Sequence, residues 1–271
     1  MNPYVLKNPT VISFSGGRTS AFMLKQILDA NGGQLPKDAY AVFCNTGLEH
    51  DGTYRFIQEC ELNWGVPVVW LEWEANNKWK RVDYDTAARN GEPFDALIQY
   101  KKALPNLTMR FCTMELKVLT IKRWAEQHLG FTEWTEIVGL RHDEPHRVAR
   151  LDRWPGSRDV YAPMYHAKHD LDHVTAFWKS SPFDLRIPPN AGNCVGCFLK
   201  GGSKLQEAVR ESPSYFDWWV AAESKVFTLT NGRKRTYRFN MDKPPYAHIV
   251  STVNEQPMLF GDDTLPCSCT D

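Results

Sequence analysis

Neither a net charge nor a long apolar run distinguishes this sequence. Its 32 basic and 32 acidic residues cancel, so the whole molecule exerts no strong field on nucleic acid or on a membrane surface. No apolar stretch approaches the length of a membrane span, and no secretory signal opens the chain, so we expect a cytoplasmic protein without a membrane partner. Internal repeats and low-complexity tracts are also missing. The 271 residues are enough for one α/β domain with a smaller appendage.

The cysteine content argues against a disulfide framework. The number of cysteines, seven, is odd, and a chain without an export signal keeps its thiols reduced. Reduced thiols are available as metal ligands or as nucleophiles. Cys60 lies within an apolar helical pattern and is predicted to be a buried small hydrophobe. The cysteines are Cys44, Cys60, Cys112, Cys194, Cys197, Cys267 and Cys269.

Short apolar runs alternate with helical patterns through the first half of the chain. Single helices between successive strands predict right-handed crossovers, and therefore a doubly wound, mostly parallel α/β sheet. The polar segment 74–110 interrupts this alternation, and its length indicates an insertion or a lid. The predicted strands cover residues 11–14, 40–44, 68–71 and 137–140.

A glycine pair separates the first predicted strand from the helix that follows it. Two glycines let the backbone turn tightly and approach a ligand, while exposed amides and the helix dipole favour an anion. Hydroxyl groups add donors and an arginine adds a charge. The same residues also allow a plain glycine turn with Thr19 or Ser20 as the helix cap. The loop consists of Ser15, Gly16, Gly17, Arg18, Thr19 and Ser20, and it lacks the lysine of a Walker P-loop.

Three segments in chain order carry a resemblance to a known family. The Ser-Gly-Gly-x-x-Ser pattern of loop 15–20 resembles the PP-loop of ATP pyrophosphatases. Segment 43–49 resembles the part of that family that meets the adenosine, and segment 139–147 resembles its Gly-x-Arg-x-x-Glu-x-x-Arg pattern. Together they resemble the PAPS reductase branch of the adenine nucleotide alpha hydrolase-like superfamily. The resemblance implies that fold, and it implies ATP or a related nucleotide with Mg²⁺ as the ligand.

The nucleotide contacts that the resemblance implies extend beyond the glycine loop. Arg141 and Arg147 can clamp phosphate oxygens because a guanidinium group is planar and has several donors. Ion pairing with Asp143 or Glu144 is the alternative use of both arginines. The further residues implied as nucleotide-binding are Asn45, Thr46, Gly47, Glu49, Lys117, Arg141, Glu144 and Arg147.

Three cysteines are candidate ligands of a metal centre. Cys194 and Cys197 are separated by two residues, which lets two thiolates converge on one metal. Segment 112–118 resembles the family segment Cys-Cys-x-x-Arg-Lys-Val of members that carry a [4Fe–4S] cluster, with Thr113 in place of the second cysteine. The resemblance implies Cys112, Cys194 and Cys197 as cluster ligands. One iron is then left open for substrate or sulfide, unless a tail cysteine provides the fourth ligand.

Other roles for the cysteines stay open at this point. The same thiolates can hold a structural zinc ion, because sulfur ligands alone do not separate iron from zinc. Cys194 and Cys197 can also be free thiols. Cys267 and Cys269 match, by position only, the nucleophilic cysteine near the carboxyl terminus of PAPS reductases. The residues considered as a fourth zinc ligand are Cys267, Cys269, His166, His169 and His173.

The two halves of the chain are therefore predicted to differ in role. Residues 1–165 are expected to form a PP-loop nucleotide-binding α/β domain. Residues 166–271 are expected to form a smaller cysteine-containing region with a helix over 203–223 and a Cys-Ser-Cys tail. Asn231-Gly232 within it is a strong hairpin signal.

The resemblance implies two chemistries between which the fold does not choose. One adenylates a substrate with release of pyrophosphate from ATP, and a sulfur or nitrogen nucleophile then displaces AMP. The other reduces APS or PAPS with a cysteine that attacks sulfur. Because Ser-Gly-Gly-x-x-Ser is similar to the ATP-cleaving form of the loop, our hypothesis is an adenylating sulfurtransferase with an iron–sulfur cluster. A sulfonucleotide reductase and a non-enzymatic nucleotide-binding protein with structural zinc are the alternatives.

The expected partners follow from these chemistries. They are a small-molecule nucleotide and either a sulfur donor or a thioredoxin-like reductant. A nucleic-acid acceptor is a further interpretation, based on short basic runs that are more often solvated turns. The basic residues are Lys101, Lys102, Arg110, Arg233, Lys234 and Arg235.

Overall fold

The computed structural model describes residues 2–7, 9–151 and 158–253. Its strands are β1 (Thr10–Ser13), β2 (Ala39–Asn45), β3 (Val68–Glu74), β4 (Lys78–Val82), β5 (Trp134–Ile137), β6 (Arg158–Tyr161), β7 (Val226–Thr228) and β8 (Lys234–Thr236). Its helices are α1 (Arg18–Ala30), α2 (Asp51–Trp64), α3 (Glu92–Lys101), α4 (Phe111–Thr113), α5 (Thr120–His128), α6 (Pro145–Val148), α7 (Pro163–His166), α8 (Leu171–Ser180), α9 (Gly202–Glu211), α10 (Asp217–Glu223) and α11 (Tyr246–Thr252). A π-helical segment (Met114–Leu119) joins α4 to α5, and a 3₁₀ turn (Pro213–Phe216) joins α9 to α10.

Six strands form the central sheet in the order β4-β3-β2-β1-β5-β6. All neighbours are parallel except β3 and β4. The chain moves outward from β1 through β2 to β3 and then returns to place β5 on the other side of β1. A ligand site is expected at this reversal, where the loops after β1 and β5 separate at the carboxyl edge of the sheet. The predicted mostly parallel α/β class is confirmed.

Helices cover both faces of the sheet because its inner strands are apolar on both sides. On one face, Ile12 and Phe43 pack with residues of α1, α2 and α8, and Cys60 is fully buried there. On the other face, Val11 and Val42 pack against α5. A doubly wound sheet follows directly from this pattern.

Segment 74–110 contains regular structure at the sheet edge. β4 runs antiparallel to β3, and all its residues are exposed or half-buried. Three of its five residues are basic, which is common in an exposed edge strand. A strand with so many charged residues is not detected by a search for apolar runs. α3 follows and buries Phe94, Leu97 and Ile98.

The sheet differs from the predicted strands at its other edge. The predicted strand 137–140 begins three residues too late, because β5 already starts at Trp134 and its ladder ends near Val138, whose amide donates to Tyr161 O at 3.0 Å. The prediction also missed β6. That strand begins with Arg158, whose guanidinium forms a 2.6 Å ion pair with Glu136 in the interior, so the buried position of this edge strand carries a charge.

The second half of the chain builds a separate apolar cluster. It joins Phe198, Trp219 and Phe239 to Phe94 of α3 and to Leu48 from the loop after β2. The hairpin predicted around Asn231-Gly232 is present as β7 and β8. The helix predicted over 203–223 is interrupted at Pro213. Among the residues that the structure describes, no helix is long and apolar enough to cross a membrane.

Candidate functional site

The glycine loop between β1 and α1 is a tight turn at the sheet reversal. Gly16 has a φ of +77°, and a Cβ there would lie 2.7 Å from Thr53 Cγ2 and 2.8 Å from Ile57 Cδ1. Glycine is therefore required for both conformation and space. The Ser20 hydroxyl accepts a hydrogen bond from the Ser15 amide at 3.2 Å and donates to Gly17 O at 3.0 Å. This pair of contacts fixes the turn internally.

The amides of the turn remain available to a ligand. Gly17 caps α1 without a side-chain hydrogen bond. Across residues 2–7, 9–151 and 158–253, the amides of Gly16, Gly17 and Arg18 have no hydrogen-bond acceptor. Unsatisfied amides at a helix amino terminus attract anions, because the helix dipole adds to their partial positive charge. The loop has the chemistry of a phosphate site.

Arg141 from the loop after β5 reaches this turn. Its Nη1 lies 3.4 Å from Thr19 Oγ1, and Gly139 allows the approach because a Cβ there would lie 3.3 Å from Ser20 Cα. Asp143 accepts from Arg141 Nε at 3.0 Å, and Glu144 accepts from the Arg141 amide at 3.0 Å. The guanidinium is held in place by its own loop and extends the positive site.

The other two predicted arginines, like Arg141, have carboxylate partners. Arg147 pairs with Glu144. Arg18 forms two 2.7 Å hydrogen bonds to Asp184 and a third, of 3.1 Å, to Leu185 O. The guanidinium of Arg18 is thus directed toward the segment after α8, and its hydrogen bonds to Asp184 raise its pKa although burial opposes the shift. Of the three arginines, Arg141 is the one in contact with the loop hydroxyls.

The loop after β2 forms a rigid wall beside the turn. Asn45, Thr46 and Glu49 are buried. Glu49 accepts from the Thr46 amide at 3.1 Å and from the Thr46 hydroxyl at 2.9 Å. Asn45 Oδ1 accepts from the Gly47 amide and from the Tyr54 hydroxyl, both at 2.9 Å. Their polar groups hold the loop together, so these predicted nucleotide residues are hydrogen-bonded within the protein itself.

A close backbone contact, which we did not predict, locks this loop to the segment before α3. The Gly91 amide donates to Gly47 O at 2.9 Å, and a Cβ on Gly47 would lie 2.8 Å from Gly91 N. A Cβ on Gly91 would in turn lie 2.4 Å from Trp218 Nε1. The only sequence signal for this arrangement was the Asn90-Gly91 turn. Segment 74–110 is thereby attached to the candidate site at this point.

Lys117 and Cys112 lie on one irregular helix. Cys112 belongs to α4 and Lys117 to the π-helical segment that follows. The Cys44 thiol, at the end of β2, donates to Lys117 O over 3.7 Å. Single π-helical turns are frequent at functional sites because they redirect side chains that a regular helix would place elsewhere.

The Cys-x-x-Cys loop pairs directly with the loop after β2. Cys194 forms a single antiparallel bridge with Glu49, and the Val195 amide donates to Leu48 O at 3.0 Å. Cys194 Sγ lies 3.4 Å from Thr46 Oγ1. A predicted metal ligand and a predicted nucleotide residue are therefore in contact. Sequence spacing did not indicate this, because the two residues are 148 positions apart.

The cysteines fall into two groups by environment. Cys112, Cys194 and Cys197 are half-buried and pack against the same apolar cluster. Cys44 and Cys60 are buried, and burial raises the pKa of both thiols. In the described ranges, no three His, Cys, Asp or Glu side chains converge as the ligands of one metal ion.

Several predicted residues lie elsewhere or beyond the described chain. Cys267 and Cys269 lie outside the described residues. His169 stacks on His173 and its Nδ1 lies 2.7 Å from the Tyr4 hydroxyl, while His166 stacks on Tyr161. A cavity of about 580 Å³ adjoins this region, between the amino-terminal segment and strands β5 and β6.

The basic residues considered for nucleic-acid contact lie in different surroundings. Lys101 donates to Glu115 at 2.8 Å. Arg233, Lys234 and Arg235 are exposed on the hairpin, where Arg235 lies 5.0 Å from the ring centre of Tyr237.

Comparisons with known proteins identify the family of the chain. The model of the phosphoadenosine phosphosulfate reductase domain matches residues 9–161, which include the glycine loop and the segment around Arg141. An uncharacterized nin region protein of Escherichia phage lambda is 34% identical over 210 residues, covering 74% of this chain and 69% of that protein. An uncharacterized protein of Methanocaldococcus jannaschii is 24% identical over 225 residues, covering 79% of this chain and 41% of that protein.

Two solved structures are also similar. The phosphoadenylyl-sulfate (PAPS) reductase from Candida auris, in a phosphate complex, has a TM-score of 0.41 and 14% identity, covering 68% of this chain and 82% of that chain. The U34-tRNA thiolase NcsA from Methanococcus maripaludis, with its [4Fe–4S] cluster, has a TM-score of 0.36 and 15% identity, covering 65% of this chain and 57% of that chain. The family resemblance seen in the sequence is confirmed by the domain match. This chain belongs to the phosphoadenosine phosphosulfate reductase domain family.

Proposed function

We propose that this protein is an ATP-dependent adenylating enzyme that transfers sulfur, with the nucleotide bound at the glycine loop and a [4Fe–4S] cluster held by cysteines beside it. The observation that carries the proposal is the 3.4 Å contact between Cys194 Sγ and Thr46 Oγ1. It brings the sulfur chemistry of the second half of the chain to the nucleotide segment of the first half.

We assign the expected contacts with the phosphates of ATP to named groups. The amides of Gly16, Gly17 and Arg18, with the positive end of α1, are suited to the β- and γ-phosphates of ATP. The Arg141 guanidinium adds a positive charge, and its attraction for the phosphate oxygens strengthens as pyrophosphate leaves. Asp143 and Glu144 keep that guanidinium oriented. Mg²⁺ that arrives with the nucleotide offsets the phosphate charge.

The donor set fits an iron–sulfur cluster. Cys112, Cys194 and Cys197 are soft thiol ligands on the edge of one apolar cluster, which limits access of water. Ligands of a cubane bind separate irons, so they need not converge on one point as the ligands of a single ion do. The cluster would supply a site that holds sulfur close to the activated acceptor.

The proposed reaction has two displacements. An acceptor oxygen attacks the α-phosphorus of ATP, and the bond to the β-phosphate oxygen breaks with its electron pair, which releases pyrophosphate. Sulfide then attacks the acceptor carbon, and AMP leaves with the former acceptor oxygen. The protein orients both partners, because the loops after β1, β2 and β5 lie at one edge of the sheet.

Anaerobic purification followed by iron analysis and a pyrophosphate-release assay with ATP·Mg²⁺ tests the proposal. We expect a brown protein that contains iron, that loses it in Cys194→Ser, and that retains it in the matched control Cys60→Ala. Pyrophosphate release is expected to depend on Arg141.

The alternatives give different results in the same experiment. Turnover of a sulfonucleotide with thioredoxin or glutathione in the absence of ATP, lost on substitution of Cys267 or Cys269, identifies a reductase. A colourless protein with stoichiometric zinc and no pyrophosphate release identifies a nucleotide-binding protein with a structural metal. Either result contradicts the proposed function.

A further inference from the structure

The loop that carries Cys194 and Cys197 is wrapped around a lysine. The ammonium group of Lys200 lies 2.5 Å from Asn190 O, 3.0 Å from Gly192 O, 3.2 Å from Cys194 O and 2.8 Å from Val195 O. A lysine ammonium has three protons, so four carbonyl oxygens around it share them in the manner of a coordinated cation.

This arrangement explains how an irregular loop is stable. Asn190 and Asn193 have φ values of +62° and +55°, and segment 190–197 contains no strand beyond the single bridge of Cys194. Carbonyl groups that face one another without a donor repel and lose the hydrogen bonds of water. The positive charge of Lys200 offsets the repulsion between the carbonyl groups, and its N–H groups replace the hydrogen bonds of water.

The four carbonyl oxygens around the Lys200 ammonium form a cage. This cage includes the backbone of the cysteine loop. Two of the four oxygens belong to Cys194 and to the next residue, Val195. The Cys197 amide donates to Cys194 O at 3.1 Å, and the Lys200 amide donates to Cys197 O at 3.0 Å. Both cysteines and the lysine thus belong to one hydrogen-bonded unit, with the sequence Cys-x-x-Cys-x-x-Lys.

Neighbouring groups complete the same unit. Tyr246 donates to Gly196 O, and a Cβ on Gly196 would lie 2.3 Å from Trp219 Nε1. Lys243 donates to Phe198 O at 3.2 Å. Tyr246 contacts one carbonyl oxygen of this unit and Lys243 contacts two, those of Phe198 and Lys200, whereas Lys200 contacts four.

We propose that Lys200 is a positioning residue that preforms the Cys194–Cys197 loop for metal binding by filling a cage of backbone carbonyls as a tethered cation. The part that concerns metal rests on the proposed function, while the preformed loop is a property of the metal-free protein. We therefore test the two parts with separate measurements.

The first measurement uses the unmodified, metal-free protein. Lysines are labelled briefly with an amine-acetylating reagent, and each site is quantified by mass spectrometry. We expect Lys200 to react at least about tenfold more slowly than the exposed Lys179 of α8, because its nitrogen is held by four oxygens. Equal rates overturn the proposal without any need for a variant.

The second measurement compares Lys200→Met and Lys200→Ala with the matched control Lys179→Met. We expect faster hydrogen exchange at the amides of Val195 and Cys197, and faster iodoacetamide labelling of Cys194, in both Lys200 variants only. Ammonium chloride is expected to slow exchange and labelling again in Lys200→Ala, where it can enter the cage, and not in Lys200→Met. Sodium chloride at equal ionic strength is the salt control. Unchanged exchange and labelling in folded Lys200→Met, or no difference between the two salts, overturns the proposal.

The third measurement concerns metal. Cobalt(II) titration of the reduced protein, followed by its thiolate charge-transfer absorption, is expected to show an affinity reduced about tenfold or more in Lys200→Met, restored in Lys200→Ala by ammonium. An unchanged cobalt affinity in Lys200→Met contradicts the positioning role. If the unmodified protein binds no cobalt through Cys194 and Cys197, the proposed metal site is wrong, and the preformed loop is still decided by labelling and exchange.

Discussion

The two halves of the candidate site are built in different ways. The glycine loop sits on a parallel sheet covered by helices on both faces, and the short contacts of Ser15, Gly17 and Ser20 shape it locally. The cysteine loop has little regular structure and depends on Lys200 and Tyr246, which reach it from later in the chain. The first half is thus a standard α/β sheet edge, at which we propose the nucleotide site. The second half is a loop whose backbone is satisfied by side chains.

Because of this difference, we expect substitutions in the two halves to have different effects on stability and local order. The sheet half loses stability mainly through its interior, where apolar layers and one buried ion pair meet. The loop half loses order at its cysteines while the sheet stays intact. Four predictions examine the contrast, from the largest expected effect to the smallest.

The buried ion pair of the sheet half gives the largest effect. Arg158→Met leaves Glu136 uncompensated in the interior, so we expect a loss of about 3–5 kcal/mol in the free energy of unfolding, measured with urea. Lys122→Met breaks an exposed pair with Glu126 and is expected to cost less than about 1 kcal/mol. Similar losses in the two variants contradict this account of the interior.

The same variant has a defined pH dependence. Burial raises the pKa of Glu136 although Arg158 opposes the shift, so the folded state holds the proton of this carboxyl more tightly than the unfolded state does. A raised pKa means that stability is lost as the pH rises through it. The loss in the free energy of unfolding of Arg158→Met, relative to the unmodified protein, is therefore expected to depend on pH. It should be smallest below the ordinary pKa of glutamate and should grow toward neutral pH.

The second prediction separates backbone strain from close packing at the glycine loop. Gly16→Ala introduces a Cβ at φ +77° against Thr53 and Ile57, for which we expect a loss of about 2–5 kcal/mol. Gly130 has a similar φ of +70° with nothing near its Cβ position, so Gly130→Ala is expected to cost only about 1–2 kcal/mol. If thermal unfolding shows equal losses, the close approach to α2 is wrong.

The third prediction ranks the arginines. Arg141→Ala is expected to weaken ATP·Mg²⁺ binding about tenfold or more, because its guanidinium lies at the loop hydroxyls. Arg18→Ala is expected to have a smaller effect, since that side chain is held by Asp184. The exposed Arg150 of the same loop as Arg141 provides the control. Calorimetric titration measures all three, and a larger effect of Arg18 than of Arg141 would reverse the ranking.

The fourth prediction concerns thiol reactivity in the metal-free protein. Cys112, Cys194 and Cys197 are half-buried, whereas burial raises the pKa of Cys44 and Cys60. Each unit of pKa lowers the thiolate fraction tenfold, so iodoacetamide is expected to modify the first three roughly tenfold faster or more. Mass spectrometry of the peptides gives the rates. Rapid modification of Cys60 would contradict its place in the core.

Local patterns predicted most of the sheet half. Apolar runs located β1, β2 and β3, and the glycine pair located the turn, because both signals depend on neighbours in the chain. β4 and β6 were missed since charged residues interrupt them, in one case at an exposed edge and in the other through the Glu136–Arg158 pair.

Long-range contacts could not be predicted in the same way. The pairing of Arg18 with Asp184 and the contact of Cys194 with Thr46 depend on how distant segments pack. The Lys200 cage could not be predicted because its acceptors are backbone oxygens. Every residue type has such an oxygen, so only the folded loop shows which of them face Lys200. Sequence spacing identified the cysteines as candidate ligands, whereas the residues that surround them are known only from the fold.

Hydrogen exchange with and without ATP·Mg²⁺ tests the central claim most directly. We predict that the nucleotide slows exchange at the amides of residues 16–20 and in the loop 45–49, because phosphate takes up the free amides of the turn and the adenosine covers the neighbouring wall. Protection confined to the cavity between the amino-terminal segment and β6, with the turn unchanged, would contradict the account.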